Sequence, residues 1–431
     1  MENNNFNSDM ENNVNFNARN IKKKKKATTK QKVWMAVWIV LFVFVLFELV
    51  KLGGYTLGKV DKDKMHLYNG LNKIMSMFVS KHPNQTTEEK TLKVAGLGDI
   101  YVTPNMLNGA KTKSGYDFTE GTSKVVEKLK GYDFVLASLA TPVVEKSLGY
   151  STTKNYGAPT ELIDLLKTLQ VSAVATATSH AMDKNEKGIT QTIANLKEQN
   201  IQQVGLNEDS RTNPIVLSKN DISIGIVSYA TSSNVKMTSK QASSINMLED
   251  GKLKDDIKYL KDKKVDFIIA YLDCPNVDSL MVNGDEKTAM DTLFTAGVHV
   301  VFGGGSMVVQ EDVEDQLEVD GSVNHIYGIY SLGDFMGGYQ STDNQLSVIG
   351  NLEFNKKITK NKKGEVVKTE ADFKVKKPIG LWTEVDKKYG KTIYILEDAI
   401  SDYNNENTNK FTAKQYHNMK EANERIEKLF Q

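Results

Sequence analysis

The sequence predicts an α/β fold, a layered sheet domain with helices on its faces, preceded by one transmembrane helix. Beyond residue 93, six short apolar and β-branched runs alternate with amphipathic stretches. Several of these runs are apolar nearly throughout, which is typical of strands covered on both faces. Strands that alternate with helices favour a layered α/β domain. A long uncharged stretch behind a lysine run near the N-terminus predicts the transmembrane helix.

The N-terminal region predicts a single-pass membrane anchor. Residues 1–32 are polar and basic, too poor in apolar residues to form a core, and predict a disordered cytoplasmic tail. Residues 33–47 carry no charge, and with the residues that follow they predict a span at 33–52. Positive charge before the span places the C-terminal part outside a bacterial cell membrane. A cleaved signal peptide is the alternative, but the tail before the apolar stretch is long for one.

The elements of the external part follow from its hydrophobic pattern. Residues 53–90 are charged and polar and predict a stalk. The domain at 91–340 is expected to contain strands at 94–100, 134–140, 173–177, 222–230, 265–273 and 298–305. Its helices are expected at 160–169, 188–199, 251–261 and 287–296. Residues 341–431 complete the domain with strands at 347–354, 371–376 and 391–396 and a terminal helix at 412–429.

Composition excludes two classes of protein. Lysine and arginine total 55 against 54 aspartate and glutamate residues, so no global positive field indicates a nucleic-acid partner. Cys274 is the single cysteine, which excludes an intramolecular disulfide framework.

The polar residues of interest lie where predicted strands end. In open α/β sheets, binding sites form at the carboxyl ends of the strands. Asp99 ends the first strand, Asp273 the fifth, and a triple glycine the sixth. Hydroxyl and aromatic side chains near these ends suit a glycan or a peptide-like polymer. The expected substrate-binding set is Thr141, Thr178, Ser179, Tyr271, Asp273, Gly304 and Gly305.

The same strand ends resemble the CapA family of capsule and poly-γ-glutamate synthesis proteins. Six segments match in order: GDI at 98–100, ASLATP at 137–142, ATSHAMD at 177–183, YLDC at 271–274, AGVHVVFGGGSMVVQ at 296–310 and YSLGDF at 330–335. They are similar to the family's GDI, ANLEGP, ANNHALD, HWG, AGADLVIGHHPHVLQ and YSLGNF segments. The resemblance implies a calcineurin-like metallophosphoesterase fold, and family members often carry an N-terminal membrane anchor.

The resemblance also implies which metal ligands are present and which are replaced. Two-metal phosphoester hydrolysis needs five or more nitrogen and oxygen donors. Asp99 and His180 match family donors and are the candidate catalytic residues. The other matched donor positions hold Ala140, Ser179, Gly304, Gly305 and Met307, and the HWG histidine position holds Leu272 or Tyr271, depending on the register. We therefore expect no cofactor; the alternative is one divalent metal ion on Asp99, His180 and Asp273.

Structural roles for the two matched residues stay open. Asp99, which follows a strand and a glycine, suits a loop-capping role. His180 suits a buried, hydrogen-bonded role that braces the loop before Asp183.

Together these features predict a membrane-anchored CapA-like protein in the synthesis, export or attachment of a capsule-like surface polymer. The expected role is a binding or scaffold component, non-catalytic or weakly catalytic, with the polymer or its synthase subunits as partners. One alternative is a hydrolase with the reduced metal site. Another is a structural module that contacts other membrane subunits.

Overall fold

The computed structural model describes residues 85–152, 154–208, 211–336, 341–384, 391–404 and 411–431. The predicted tail at 1–32, the predicted span at 33–52 and nearly all of the predicted stalk lie outside these residues. Within the described ranges, no helix has the length and hydropathy needed to cross a bilayer.

The described residues form fourteen strands and ten α-helices. The strands are β1 (Thr86–Ile100), β2 (Phe134–Leu139), β3 (Val171–Ala175), β4 (Gln202–Val204), β5 (Ile215–Lys219), β6 (Ile222–Ala230), β7 (Phe267–Asp273), β8 (Val300–Gly304), β9 (Asp312–Val319), β10 (Ser322–Ile329), β11 (Asp334–Met336), β12 (Leu346–Lys360), β13 (Val366–Glu384) and β14 (Thr392–Ile395). The helices are α1 (Pro104–Gly109), α2 (Ser123–Leu129), α3 (Leu162–Thr168), α4 (Asn185–Glu198), α5 (Ser239–Ala242), α6 (Asp250–Asp262), α7 (Gly284–Ala296), α8 (Thr342–Gln345), α9 (Leu396–Asn404) and α10 (Ala413–Leu429). A 3-10 turn lies at Lys146–Leu148.

The strands form two mixed sheets. The first has the order β14-β13-β12-β1-β2-β3-β4, with β11 also paired to β1. Its parallel part is β1 to β4, whereas β12, β13 and β14 run antiparallel to their neighbours. The second sheet has the order β5-β6-β7-β8-β10-β9 and is parallel from β6 to β10. The predicted α/β class is correct, but the domain contains two sheets with long antiparallel additions.

Three apolar cores arrange the sheets and helices in layers. The core between the sheets joins Val94 of the first to Ile269 and Phe302 of the second. The preceding residue on β7, Ile268, lies on the opposite face of the sheet and packs under α6 and α7. Helices α1 to α4 cover the outer face of the first sheet through a separate core. The architecture is therefore helix, sheet, sheet, helix.

Glycines in the first sheet make room for an aromatic ring of the second. A Cβ atom at Gly96 would lie 2.5 Å from the Phe302 ring, and one at Gly350 would meet the same ring. Phe302 is fully buried. Burial of such a side chain stabilises the fold by about 1.5–3 kcal/mol, and this contact fixes how the two sheets face each other.

Helix caps explain where two predicted helices begin. The pattern predicts a helix from residue 287, but α7 begins at Gly284 because Asn283 and Glu286 form a capping box. Its end is set by Gly297, which adopts a φ of 111° that favours glycine. Thr412 and Gln415 form the same capping box before α10, where the predicted helix start is correct to one residue.

Some sequence expectations need correction. β1 begins at Thr86, inside the predicted stalk, because residues 86–90 pair with β12. The predicted strands at 347–354 and 371–376 are parts of the much longer strands β12 and β13. Strands β4, β5, β9, β10 and β11 were not predicted. β4 and β11 have only three residues each, and β9 is polar and half exposed.

Candidate functional site

The ends of the parallel strands bring the matched residues together, as the sheet topology requires. Asp99 of β1 is in register with Ser138 of β2 and with Asp334 of β11. Asp273 of β7 lies beside Gly304 of β8 in the second sheet. We use the name carboxyl edge for the region formed by Asp99, Ser138, Ser179, Asp273, Gly304 and Gly305.

Asp99 is held by donors from both sheets. It is 1% exposed. The Ser138 hydroxyl donates to its Oδ1 at 2.5 Å, and the Gly305 backbone N–H donates to its Oδ2 at 2.8 Å. Burial raises the pKa of Asp99, and the bonds from Ser138 and Gly305 oppose that rise. Asp99 therefore links the end of β1 to the loop after β8.

Asp273 has a similar arrangement on the second sheet. The backbone N–H of Ser179 donates to its Oδ2 at 2.8 Å, and the Ser179 hydroxyl donates to the same oxygen at 3.1 Å. Burial, followed by the nearby charge of Asp99, raises the pKa of Asp273 to about 7. Asp273 therefore links β7 to the loop after β3.

The two glycines of this edge lie against the two carboxylates. A Cβ atom at Gly304 would lie 2.6 Å from Asp99 Oδ2, closer than real Cβ contacts allow. A Cβ atom at Gly305 would lie 2.8 Å from Asp273 Oδ1, and the φ of Gly305 is +89°. Each carboxylate thus occupies the space that a side chain at the neighbouring glycine position would need.

His180 is engaged on the loop that follows β3. Its Nδ1 lies 2.9 Å from Asp183 Oδ2, and the Asn234 side-chain amide donates to Asp183 Oδ1 at 2.6 Å. The ring of Tyr156 packs against the His180 ring with centroids 4.4 Å apart. These contacts match the bracing role that the sequence left open. His180 directly follows Ser179, which donates to Asp273, so it lies next to the carboxyl edge.

The other predicted substrate-binding residues are buried. The Tyr271 hydroxyl donates to the Leu97 carbonyl at 3.2 Å, and its ring belongs to the core between the sheets. Thr141 accepts a bond from the Val102 N–H at 2.9 Å and is 2% exposed. Thr178 is also 2% exposed, and its hydroxyl has no hydrogen-bond partner in the described part of the chain. In this conformation these side chains stabilise the edge from inside and do not line an open cleft.

Two buried ionisable residues beside the edge, Asp334 and Lys391, were not predicted to act on each other. Neither carboxylate oxygen of Asp334 has a hydrogen-bond partner among the described residues. Burial raises the pKa of Asp334 well above its ordinary value, and the charge of Lys391 opposes this rise. Burial in turn lowers the pKa of Lys391 to about 8. No sequence pattern links these residues, because Lys391 lies in a lysine-rich region far along the chain.

The donor set does not fit a two-metal centre. Such a centre needs several oxygen and nitrogen donors that converge on the ions. The carboxylates of Asp99 and Asp273 already accept bonds from protein donors, and Gly304 and Gly305 offer no side-chain donor. Within the described ranges, no three His, Cys, Asp or Glu side chains are grouped so that they could hold a metal ion. Asp99, His180 and Asp273 are thus neighbours without forming a three-ligand group.

A comparison with family models gives one match. The model described as "Bacterial capsule synthesis protein PGA_cap" matches residues 93–339. That range contains the carboxyl edge and all six segments singled out in the sequence. A comparison with curated proteins gives no match.

The chain is also similar to solved structures at low identity. One is a 5'-nucleotidase precursor from Thermus thermophilus, with a TM-score of 0.38, 13% identity, and coverage of 66% of this chain and 54% of that one. Another is the calcineurin-like phosphoesterase YfkN from Bacillus subtilis, with a TM-score of 0.40, 12% identity, and coverage of 67% of this chain and 91% of that one. The chain spans about half the length of the nucleotidase precursor. Similarity at this level carries no information about activity.

Proposed function

Because the chain belongs to the family of bacterial capsule synthesis proteins, we propose that it is a membrane-anchored component in the synthesis, export or attachment of a capsule-like surface polymer. The proposed polymer is of the poly-γ-glutamate type, as the sequence resemblance implies. The proposed role is to bind or scaffold the polymer or its synthase subunits, outside the cell, without catalysis.

One observation carries the non-catalytic part of the proposal: the carboxylates of the carboxyl edge bind the protein itself. Asp99 accepts bonds from Ser138 and Gly305, and Asp273 accepts bonds from Ser179. A hydrolytic site keeps its charged groups available to substrate or metal. Here the same groups join the two sheets, which supports a structural use of the edge.

The membrane part of the proposal is supported by sequence alone. The uncharged stretch at 33–47 follows a run of five lysines at 22–26. Such a stretch suits a span, and the lysines favour a cytoplasmic N-terminus.

Polymer production in cells tests the proposal. Deletion of the gene should abolish the surface polymer, and the wild-type chain should restore it. An Asp99→Asn/His180→Asn double variant should restore it wherever the chain reaches normal abundance in membranes, because it removes the acid and base of the edge, although asparagine can accept only one of the two bonds that Asp99 accepts.

A matched control uses another aspartate–histidine pair. His325 Nδ1 lies 3.1 Å from Asp372 Oδ1 on the surface, far from the edge in sequence. The Asp372→Asn/His325→Asn variant should also restore the polymer. Loss of polymer with the edge variant alone, at normal abundance of the chain in membranes, would contradict the proposal and favour the hydrolase alternative based on Asp99, His180 and Asp273.

An exposed loop supports the second alternative, a module that contacts membrane subunits. The loop after β7 exposes Val277, Leu280 and Met281 by 57%, 42% and 77%. Its backbone is nevertheless held, since the Asp278 N–H donates to the Ser306 carbonyl at 2.9 Å. Ordered apolar side chains in solvent are typical of protein contacts.

Crosslinking distinguishes this alternative from polymer binding. Cys274 is the single cysteine and is buried, so a Met281→Cys variant offers one accessible thiol. A crosslink in cells to a membrane protein of the polymer synthase would favour the module. A crosslink to polymer alone would favour the binding component.

A further inference from the structure

A three-stranded extension lies at the opposite end of β1 from Asp99. It contains residues 86–91 of β1, residues 355–360 of β12, residues 366–370 of β13 and the turn at 361–365, and we call it the basic ribbon. Thr86 is in register with Lys360, and Lys357 with Glu370. The turn and the β13 part are exposed to solvent.

The basic ribbon concentrates positive charge. Its four segments contain seven lysines and four glutamates, a net charge of +3, whereas the whole chain has a net charge of +1. Lys360 pairs with Glu88 at 2.7 Å, and Lys368 pairs with Glu370 at 2.5 Å. Lys356 and Lys90 also pair with acids outside the ribbon, Asp266 at 2.7 Å and Asp221 at 3.6 Å. The positive charge that is left open to solvent is therefore mainly that of Lys362 and Lys363 in the turn.

The turn holds these two lysines in a defined position. The Asn361 side-chain oxygen accepts bonds from the N–H groups of Lys363 at 2.9 Å and Glu365 at 3.1 Å. Gly364 closes the turn with a φ of +79°. The Asn361 side-chain amide also donates to the Glu365 carboxylate at 2.8 Å, so the one acid of the turn is held by the side chain of Asn361.

Two apolar side chains lie beside the lysines. Val366 is 58% exposed and Val367 is 49% exposed. Lysines on an open strand edge also prevent strand addition by another molecule, and this explains Lys368 on β13. That explanation does not account for two exposed valines or for lysines in a turn. Apolar residues mixed with lysines suit the interface between water and an anionic lipid surface.

The position of the ribbon points to the membrane. The described chain enters the domain at the ribbon, and 33 residues separate Thr86 from the end of the predicted span at 52. The carboxyl edge lies thirteen residues further along β1, or about 40 Å at the usual rise of a strand. The ribbon is thus the end of β1 at which the chain arrives from the predicted anchor.

We propose that Lys362, Lys363, Val366 and Val367 contact anionic phospholipid headgroups of the membrane in which the chain is anchored. This inference rests on the membrane anchor of the proposed function. The contact would orient the domain with the carboxyl edge directed away from the bilayer.

A fluorescent label in the full chain tests the contact. An environment-sensitive dye is placed at Val366→Cys, since Cys274 is buried, and the chain is reconstituted into vesicles. Mixed phosphatidylcholine and phosphatidylglycerol vesicles should shift the dye emission to the blue and allow quenching by brominated lipid. Phosphatidylcholine alone should give a smaller effect. A dye at Met281→Cys, at the far end of the domain, should show neither.

Charge reversal provides the second arm. Lys362→Glu/Lys363→Glu in the Val366→Cys chain should abolish the blue shift. If the dye emission stays unchanged in vesicles from which alkali does not extract the chain, the ribbon contact is wrong and the membrane anchor is retained. If alkali extracts all of the chain from the vesicles, both the membrane anchor and the ribbon contact that rests on it are wrong. A shift caused only by soluble poly-glutamate, and not by vesicles, would assign the ribbon to polymer binding and overturn the lipid contact.

Discussion

The two ends of β1 use charge in opposite ways. At the Asp99 end, the carboxylates of Asp99 and Asp273 are buried and bonded to serine hydroxyls and backbone N–H groups. At the Thr86 end, lysines stand in solvent beside exposed valines. The carboxylates at one end therefore join two sheets, whereas the charges at the other end are open to solvent.

The largest expected effect is at Tyr271, inside the Asp99 end. Tyr271→Ala should lower the free energy of unfolding by about 3–5 kcal/mol, because it leaves a cavity between the sheets. Tyr271→Phe, which removes only the bond to the Leu97 carbonyl, should cost about 1 kcal/mol. Urea denaturation measures both. A stable Tyr271→Ala chain that fails to bind polymer would restore the predicted role in substrate binding.

The second largest expected effect is a dependence of folding stability on pH that arises from Asp273. Its folded pKa of about 7 lies above its ordinary value of 3.8, so the folded state binds the proton more tightly than the unfolded state. The resulting stabilisation is complete below pH 4 and is lost as the pH rises to 7. It amounts to a few kcal/mol at about 1.4 kcal/mol per pKa unit.

Asp273→Asn should therefore flatten the decline in stability between pH 4 and 7. Melting temperatures across that range measure the slope. Asp315→Asn, at an exposed position on β9, should leave it as in the wild type. An equal slope in wild type and Asp273→Asn would show that Asp273 does not retain its proton on folding.

A smaller effect is expected at Gly304. Gly304→Ala should cost about 1–3 kcal/mol, because its Cβ would press on Asp99. In an Asp99→Ala background this cost should fall, which a double-mutant cycle detects as coupling. Gly251→Ala is the control, since a Cβ there meets nothing within 4 Å. If the losses in free energy of unfolding caused by Asp99→Ala and Gly304→Ala simply add, a Cβ atom at position 304 does not press on Asp99.

The smallest effect on stability is expected in the basic ribbon. Lys362→Glu/Lys363→Glu should change the free energy of unfolding by no more than about 0.5 kcal/mol, as for exposed residues in general. Chemical denaturation of the full chain measures it. A large loss would mean that these lysines hold the ribbon together, and any change in vesicle binding would then have a structural cause.

Much of the fold was predictable because its central strands are strongly apolar. The runs that became β1, β2, β3, β6, β7 and β8 have this pattern, and each prediction overlaps the observed strand. The sequence of β9 is polar because half of its residues face solvent. It is a strand because it pairs with β10, which its own hydrophobic pattern does not predict. The length of β12 and β13 depends on mutual pairing, which the period of one strand does not reveal.

The candidate site was predictable in location but not in its bonding. Strand ends located Asp99, Asp273 and the glycines, because parallel strands deliver their carboxyl ends to one edge. The approach of Asp99 to Gly304 joins residues about two hundred positions apart. Likewise, the proximity of Asp334 to Lys391 depends on how β14 joins the sheet. Such contacts arise from tertiary packing and leave no local pattern.

Metal content of the purified full chain tests the central claim most directly, namely that the carboxyl edge is closed on itself. Elemental analysis after exposure to manganese and zinc should give far less than one ion per chain, with the same value for Asp99→Asn. One ion per chain, as in the reduced site on Asp99, His180 and Asp273, or two, as in a two-metal hydrolase, with loss of the metal in Asp99→Asn, would contradict the claim.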